Sequence, residues 1–165
     1  MIYCHSPFTI IPEDVSCHID LEVGAFTSIA SGLTIISGQH PPVENPEVVS
    51  SFPFKEWGLG DYPACKMGGL VTIRNDVWIG QNVSIMEGVY IGSGSIIGAC
   101  SVVTRDISHY EIYTGHEKVP RYRFDPPIIK KLLDIAWWDW PIEKVREAIP
   151  HMAHINDFLD WCENG

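Results

Sequence analysis

The sequence predicts an all-β solenoid, a parallel β-helix interrupted by one extruded loop and followed by α-helices. Three observations carry that prediction. Aliphatic residues recur every six positions through Ile73, Ile79, Ile85, Ile91, Ile97 and Val103. Two places before each stands another small or branched residue, and Gly80, Gly92 and Gly98 follow three of them directly. The same step runs through an earlier block at Ile11, Cys17, Val23, Ile29 and Ile35. A period of six fits neither the 3.6 of a helix nor the 2 of a simple strand. It fits a short strand plus a corner, three of which close a triangular coil. Inward residues then stack one coil apart, Ile73 with Ile91 and Ile79 with Ile97. Glycine beside them relieves a corner where a Cβ would strain the backbone. An ordinary β-sandwich would need all of these positions to obey one rule by chance.

Each segment follows from that frame. Residues 1–124 form the β-helix domain. The register breaks between Ile35 and Ile73, and the segment at about 38–70 carries Pro41, Pro42, Pro46, Pro53, Gly58, Gly60 and Pro63. A long loop thrown out of a compact repeat is more often functional than idle. After Ile107 the pattern changes, and 125–165 reads as a helical segment packed on the coil. Asp125-Pro126-Pro127 is a helix start, with a capping carboxylate and proline in the first turn. Helical spacing then runs from Ile128 to Trp137, a second helix from Trp140-Pro141 to about Ile149, and a third from His151 to Cys162. At a strand spacing of roughly 4.8 Å, some three and a half coils stand only about 17 Å tall. Such a coil buries little, so association with cyclic symmetry is expected.

Composition narrows the function. Net charge is −10 over 165 residues, which repels phosphate backbones and argues against nucleic acid. No apolar run approaches the ~20 residues of a membrane helix, and Met1–Ile10 lacks a charged leader region, so a cytoplasmic location without membrane contact is expected. The five cysteines, Cys4, Cys17, Cys65, Cys100 and Cys162, are scattered without a Cys-x-x-Cys pair. They read as reduced, mostly buried thiols, and no metal is required.

Of seven histidines, His40 stands apart because it opens the extruded loop. A neutral imidazole there can take a proton from an acceptor hydroxyl as its oxygen attacks a thioester. The bland reading of His40, a solvated loop residue, stays open on composition alone. His18 at a coil corner and His151 and His154 near the C-terminus read as surface residues. Trp78 precedes an inward isoleucine, so its indole should point outward, towards a groove or a subunit interface.

Several motifs closely resemble the xenobiotic acetyltransferases, a branch of the hexapeptide-repeat transferases containing streptogramin and type-B chloramphenicol acetyltransferases. They are Gly38-Gln39-His40, Ser50-Ser51-Phe52-Pro53-Phe54, Asn75-Asp76-Val77-Trp78-Ile79-Gly80, Arg123-Phe124-Asp125, Leu132-Leu133-Asp134-Ile135 and Trp137-Trp138-Asp139-Trp140-Pro141. The likeness extends over roughly residues 23–149. It implies a left-handed coil, a homotrimer, and active sites at subunit interfaces. It also implies acetyl-CoA as acyl donor and direct transfer to a small antibiotic-like or sugar-like hydroxyl, without a covalent enzyme intermediate. By motif match His40 is the general base, and Gln39, Phe52, Pro53 and Trp78 face the acceptor. Trp78, Gly80, Gly98 and Ala99 line the path of the CoA arm, and Lys118 and Arg123 stand near the CoA nucleotide. Antibiotic resistance is the role such a match suggests.

Departures fall in the acceptor region. Gln39 replaces the family's asparagine, and the spacer from His40 to Ser50 is longer. Gly115-His116-Glu117-Lys118 replaces Gly-Asn-Pro-Ala-Lys. Three other functions compete. Transfer to the amine of an amino sugar or nucleotide-linked amino sugar uses the same fold. A γ-type carbonic anhydrase needs three zinc histidines, yet residues 73–103 hold none. A non-catalytic scaffold is the third.

Overall fold

A six-residue step leaves room for only two or three residues of strand before each corner, and strands of that length form throughout. The computed structural model describes residues 1–4, 6, 8–40, 47–65, 68–115 and 119–164. Its strands are β1 (Ile2–Cys4), β2 (Leu21–Val23), β3 (Ser28–Ile29), β4 (Thr34–Ile36), β5 (Val71–Ile73), β6 (Trp78–Ile79), β7 (Ser84–Met86), β8 (Tyr90–Ile91), β9 (Ile96–Ile97), β10 (Val102–Val103), β11 (Glu111–Tyr113) and β12 (Arg121–Tyr122). The first sheet runs β1-β2-β5-β8, the second contains β3-β6-β9-β11, and the third runs β4-β7-β10. From β2 to β10 the chain visits the three in rotation, and every described pairing is parallel. Ile73 pairs with Ile91, Ile79 with Ile97 and Ile85 with Val103, eighteen residues apart as the repeat requires. Across the extruded loop Val23 pairs with Ile73 and Ile35 with Ile85, so the loop is inserted without disturbing the rotation.

Both aliphatic rows point inward. Val71, Val77, Val83 and Val89 join Ile73, Ile79, Ile85 and Ile91 in one core, each at most 5% exposed. Ile11 and Cys17 depart from the expectation, for they are only partly buried against that core. Their coil is tied by isolated bridges, Ile10 to Ser28 and Ser16 to Thr34, in place of full strands. The coil also runs further than its period suggested. Ile91 bridges to Ile107 and Ile97 pairs with Tyr113, a step of sixteen. Asp106 Oδ1 accepts the Tyr90 N–H at 2.8 Å where the chain contracts. The contraction carries Glu111 inside at 1% exposure, where its carboxylate accepts from Arg105 Nη2 at 2.7 Å and from Ser108 N–H at 2.9 Å.

Corners set the remaining local rules. A Cβ on Gly80 would lie 2.6 Å from Ala99 N, so the coils approach too closely there for any side chain. Left-handed backbone recurs from coil to coil, at Phe26, Asp76, Gly94 and Tyr110 in one row and at Gly32, Asn82 and Cys100 in another. Cys100 holds φ 60 while exposed, so it bears the left-handed penalty with little packing to offset it. Cys100→Gly should raise unfolding free energy by roughly 0.5–1 kcal/mol in urea titration, the relieved strain less the glycine's added unfolded-state entropy. A loss of that size would contradict the strain assignment. The thiols also correct the sequence expectation of burial. Cys4 and Cys100 are exposed, Cys17, Cys65 and Cys162 are half-buried, and all five are free. Cys4 lies on β1, whose residues are all exposed, and Cys100 occupies an outward corner.

Residues 1–121 form one compact unit and residues 122–165 a second. Its helices are α1 (Pro126–Ile135), α2 (Ile142–Ala148) and α3 (Ile155–Asn164), with single 3-10 turns at Trp137–Asp139 and Ile149–His151. Leu132, Trp138, Val145, Ala148, Phe158 and Leu159 are buried there. Asp125 does precede α1, but its carboxylate makes no cap bond: Pro127 offers no N–H, and the Ile128 N–H goes to the Asp125 carbonyl at 3.0 Å. The helix stops short of Trp137 because Ala136 turns left-handed at φ 45. The third helix begins at Ile155, later than expected, since the 3-10 turn occupies the chain around His151. None of the helices among the described residues is long and apolar enough to cross a membrane.

Candidate active site

The extruded loop leaves the coil after β4, the end of a third-sheet strand, and returns at β5 in the first sheet. Its neck is held by a residue the sequence did not single out. Glu87 Oε2 accepts the N–H of Gly38 and the N–H of Gly68, each at 2.7 Å. Gln39 is half-buried, and His40 beyond it is exposed.

His40 is oriented from within the loop. Its Nδ1 lies 2.6 Å from the carbonyl oxygen of Ser51. A carbonyl oxygen only accepts, so Nδ1 carries a proton, and in the neutral ring Nε2 keeps its lone pair. The Ser51 carbonyl is in turn steadied by its neighbours. Tyr62 Oη donates to the Ser50 carbonyl at 2.7 Å and accepts the Ser50 N–H at 3.2 Å, while Ser50 Oγ accepts the Phe52 N–H at 3.1 Å. Phe54 meets the edge of Tyr62 at 5.1 Å, Phe52 packs on Phe54 at 5.0 Å and on Trp57 at 5.9 Å. Pro53 opens the turns that follow, its carbonyl accepting from Trp57 N–H at 3.3 Å. These aromatics give the loop a small core of its own, yet Phe52 is 41% and Trp57 70% exposed.

One carboxylate near this group is tuned. Glu56 Oε1 accepts the Cys65 N–H at 2.7 Å, and that bond chiefly holds Glu56 below the usual carboxylate range, its own N–H, Lys55 and His40 acting in the same sense. Elsewhere on the coil, His109 Nδ1 accepts the Ser93 N–H at 2.9 Å, and burial, then Arg74, lowers its pKa. That bond occupies the Nδ1 lone pair, and the neutral ring's proton then sits on Nε2, so His109 is structural rather than a second base.

The other expected site residues fall in a separate group. Trp78 stands on β6 in the second sheet and is 51% exposed, outward as its position predicts. Gly80, Gly98 and Ala99 form one column at the corner beyond it, since Gly80 abuts Gly98 and Ala99 of the next coil. The smallness of that column has a reason within the coil itself, the close approach of backbones. Arg123 belongs to the second unit, its guanidinium 5.3 Å from the Phe124 ring centre. Lys118 lies outside the described residues. The loop with Gln39, His40, Phe52 and Pro53 thus leaves the coil between the third and first sheets, whereas Trp78 and the glycine column belong to the second. Among the described residues no three His, Cys, Asp or Glu side chains converge as a metal site needs.

Sequence reasoning missed Glu87 and Tyr62, and it quoted Ser51 within a motif without giving it a role. Glu87 and Tyr62 both act on main-chain partners, and no periodicity marks them. Glu87 left one trace: it is a charged residue at a corner directly before Gly88, opposite the point where the register breaks.

Residues 71–105 match the family model described as bacterial transferase hexapeptide (six repeats). Fold and repeat together define a hexapeptide-repeat transferase. A chloramphenicol acetyltransferase of Escherichia coli is 39% identical over 141 residues, 81% of this chain and 66% of that one. A probable macrolide acetyltransferase of Lysinibacillus sphaericus is 37% identical over 133 residues, 76% of this chain and 72% of that one. The chain belongs to the xenobiotic acetyltransferase branch of the hexapeptide-repeat transferases. It spans about two thirds of the length of the curated chloramphenicol acetyltransferases it matches. Among solved structures, a hexapeptide-repeat acetyltransferase from Vibrio cholerae, complexed with acetyl coenzyme A, superposes with a TM-score of 0.50 at 19% identity. That superposition takes in 75% of this chain and 72% of the other, and it speaks for the fold alone.

Proposed function

We propose that this protein transfers acetyl from acetyl-CoA to a hydroxyl of a small antibiotic-like or sugar-like molecule, with His40 as general base. The observation that carries the proposal is the Nδ1 contact of His40 with the Ser51 carbonyl at 2.6 Å. It fixes the tautomer a base needs, with the Nε2 lone pair available to an acceptor. Nε2 takes the hydroxyl proton as the oxygen bonds to the thioester carbon. The tetrahedral oxyanion then collapses, the carbon–sulfur bond breaks, and the thiolate leaves as CoA, taking its proton from the imidazolium. Acetyl passes straight from sulfur to oxygen, with no covalent enzyme intermediate.

The coil is read as left-handed and the active assembly as a homotrimer. Family membership supports both, and the topology adds an argument. His40 belongs to a loop leaving the coil between two sheets, while Trp78, Gly80, Gly98 and Ala99 belong to the remaining one. Copies arranged around a threefold axis bring the loop of one chain to the Trp78 sheet of the next. There Trp78, Gly80, Gly98 and Ala99 flank the pantetheine arm, and Gln39, Phe52 and Pro53 shape the acceptor end; the family resemblance assigns Lys118 and Arg123 to the CoA nucleotide. The lengthened, proline-rich loop is the part that sets which acceptor fits.

A thiol-release assay with acetyl-CoA tests this against chloramphenicol, streptogramin A, amino sugars and nucleotide sugars. Saturable CoA release with a hydroxyl acceptor is the expected result. Release confined to amine acceptors would replace O-transfer with N-transfer, and silence across the panel would contradict the acceptor class.

A further inference from the structure

The coil's backbone ladder around Glu87 is complete without its side chain: Glu87 N–H donates to Ile36 O at 2.9 Å and Gly88 N–H to Gly69 O at 3.0 Å. The carboxylate is therefore spare as far as the coil is concerned. Among the described residues, both of its hydrogen bonds go to the neck of the loop, one to Gly38 on the way out and one to Gly68 on the way back. A single oxygen, Oε2, accepts both at 2.7 Å, the short range of charge-assisted bonds. A Cβ on Gly68 would fall 2.0 Å from Glu87 Cδ, so the returning chain lies directly against the carboxyl group.

We propose that Glu87 is a positioning residue for His40, tying both ends of the loop together so that the imidazole keeps its place and tautomer. The inference rests on the reading of His40 as the base. Gly38 precedes His40 by two residues, and the Ser51 carbonyl that fixes Nδ1 lies eleven residues beyond it in the same loop. The loop's own aromatic core holds Ser51, and among the described residues the side-chain hydrogen bonds that tie the loop to the coil are those of Glu87 at the neck. Opening the neck frees the two ends to separate, and a loop of this length closes only against its chain entropy. Near-attack geometry is intolerant of such freedom, since a displacement of ~1 Å costs about 10²-fold in rate.

The substitutions that test this are Glu87→Ala, which removes both acceptors, and Glu87→Gln, which retains one oxygen able to accept both N–H groups. The first readout needs no acceptor molecule. With 15N-labelled histidine in alkaline buffer, the His40 ring of the wild type should be protonated at Nδ1. Glu87→Ala should shift it towards the tautomer mixture of free imidazole, and Glu87→Gln should keep the wild-type state. The second readout is acetyl transfer from acetyl-CoA to chloramphenicol. There kcat should fall ~10–10²-fold in Glu87→Ala, the order expected for misplacement, with KM for acetyl-CoA unchanged and most of the rate restored in Glu87→Gln. An unaltered His40 tautomer in folded Glu87→Ala would overturn the proposal. Altered tautomer with undiminished turnover would instead overturn the role of His40, so the two failures are told apart.

Discussion

Ile91→Asp abolishes folding: the variant is expected in the insoluble fraction, or soluble without the β-rich circular dichroism of the wild type. Ile91 is fully buried, paired with Ile73 on one side and bridged to Ile107 on the other. An aspartate there places an unpaired carboxylate among aliphatic side chains of two neighbouring coils. Even after relaxation, or protonation, the penalty is several kcal/mol per ion on top of the lost aliphatic burial. Against a net stability of about 5–15 kcal/mol for a whole domain, that loss is most or all of what is available. A parallel coil compounds it, because each turn is the template for the next. Thr72, on the preceding strand, is the control: its side chain alternates to the outer side of β5, and Thr72→Asp should stay folded. A soluble, β-rich Ile91→Asp protein would contradict the inward assignment of the row.

His40→Ala is the second large effect, and it falls on chemistry rather than on folding. The side chain is exposed and, among the described residues, its hydrogen bond is to the Ser51 carbonyl within the loop, so its removal leaves the coil intact. On the proposed reading of His40 as the base, its loss removes the acceptor of the hydroxyl proton, and kcat for acetyl transfer should fall ~10²–10⁴-fold, the usual worth of a general base. KM for acetyl-CoA should change little, since the residues read as flanking the donor belong to a different sheet. Steady-state kinetics on both substrates separates the two parameters. A rise in KM with kcat preserved would make His40 a binding residue instead of the base.

The fold was legible because one number, the period of six, fixes strand length, corner spacing and interior rows at once. Ile73, Ile79, Ile85, Ile91, Ile97 and Val103 all lie inside, within one core. Legibility failed where that number changed. The last coil contracts by two residues, so the six-step lands on His109 while the chain puts Ile107 and Tyr113 inside. At the other end Ile11 and Cys17 obey the period but are only half-buried, because periodicity does not report how many neighbours a coil has. The helical unit was readable in outline and wrong in its caps and ends, which Ala136 decides by a left-handed turn that alanine composition does not announce.

The candidate site divides in the same way. His40 could be picked out because a titratable ring at the mouth of a loop is chemically conspicuous, and Trp78 because alternation along a strand fixes which way it points. Glu87 and Tyr62 could not, because both act by holding main-chain groups of other residues, which no side-chain pattern marks. Gly38 and Glu87 are separated by 49 positions, and only the coil brings them together.

The most direct test of direct, His40-dependent transfer uses isotopically labelled acetyl-CoA, with mass spectrometry of both protein and acceptor through a single turnover. The structure leads us to expect label moving from CoA to an acceptor hydroxyl, none on the protein at any time, and almost none transferred by His40→Ala. Label retained on the protein, or undiminished transfer by His40→Ala, would contradict it.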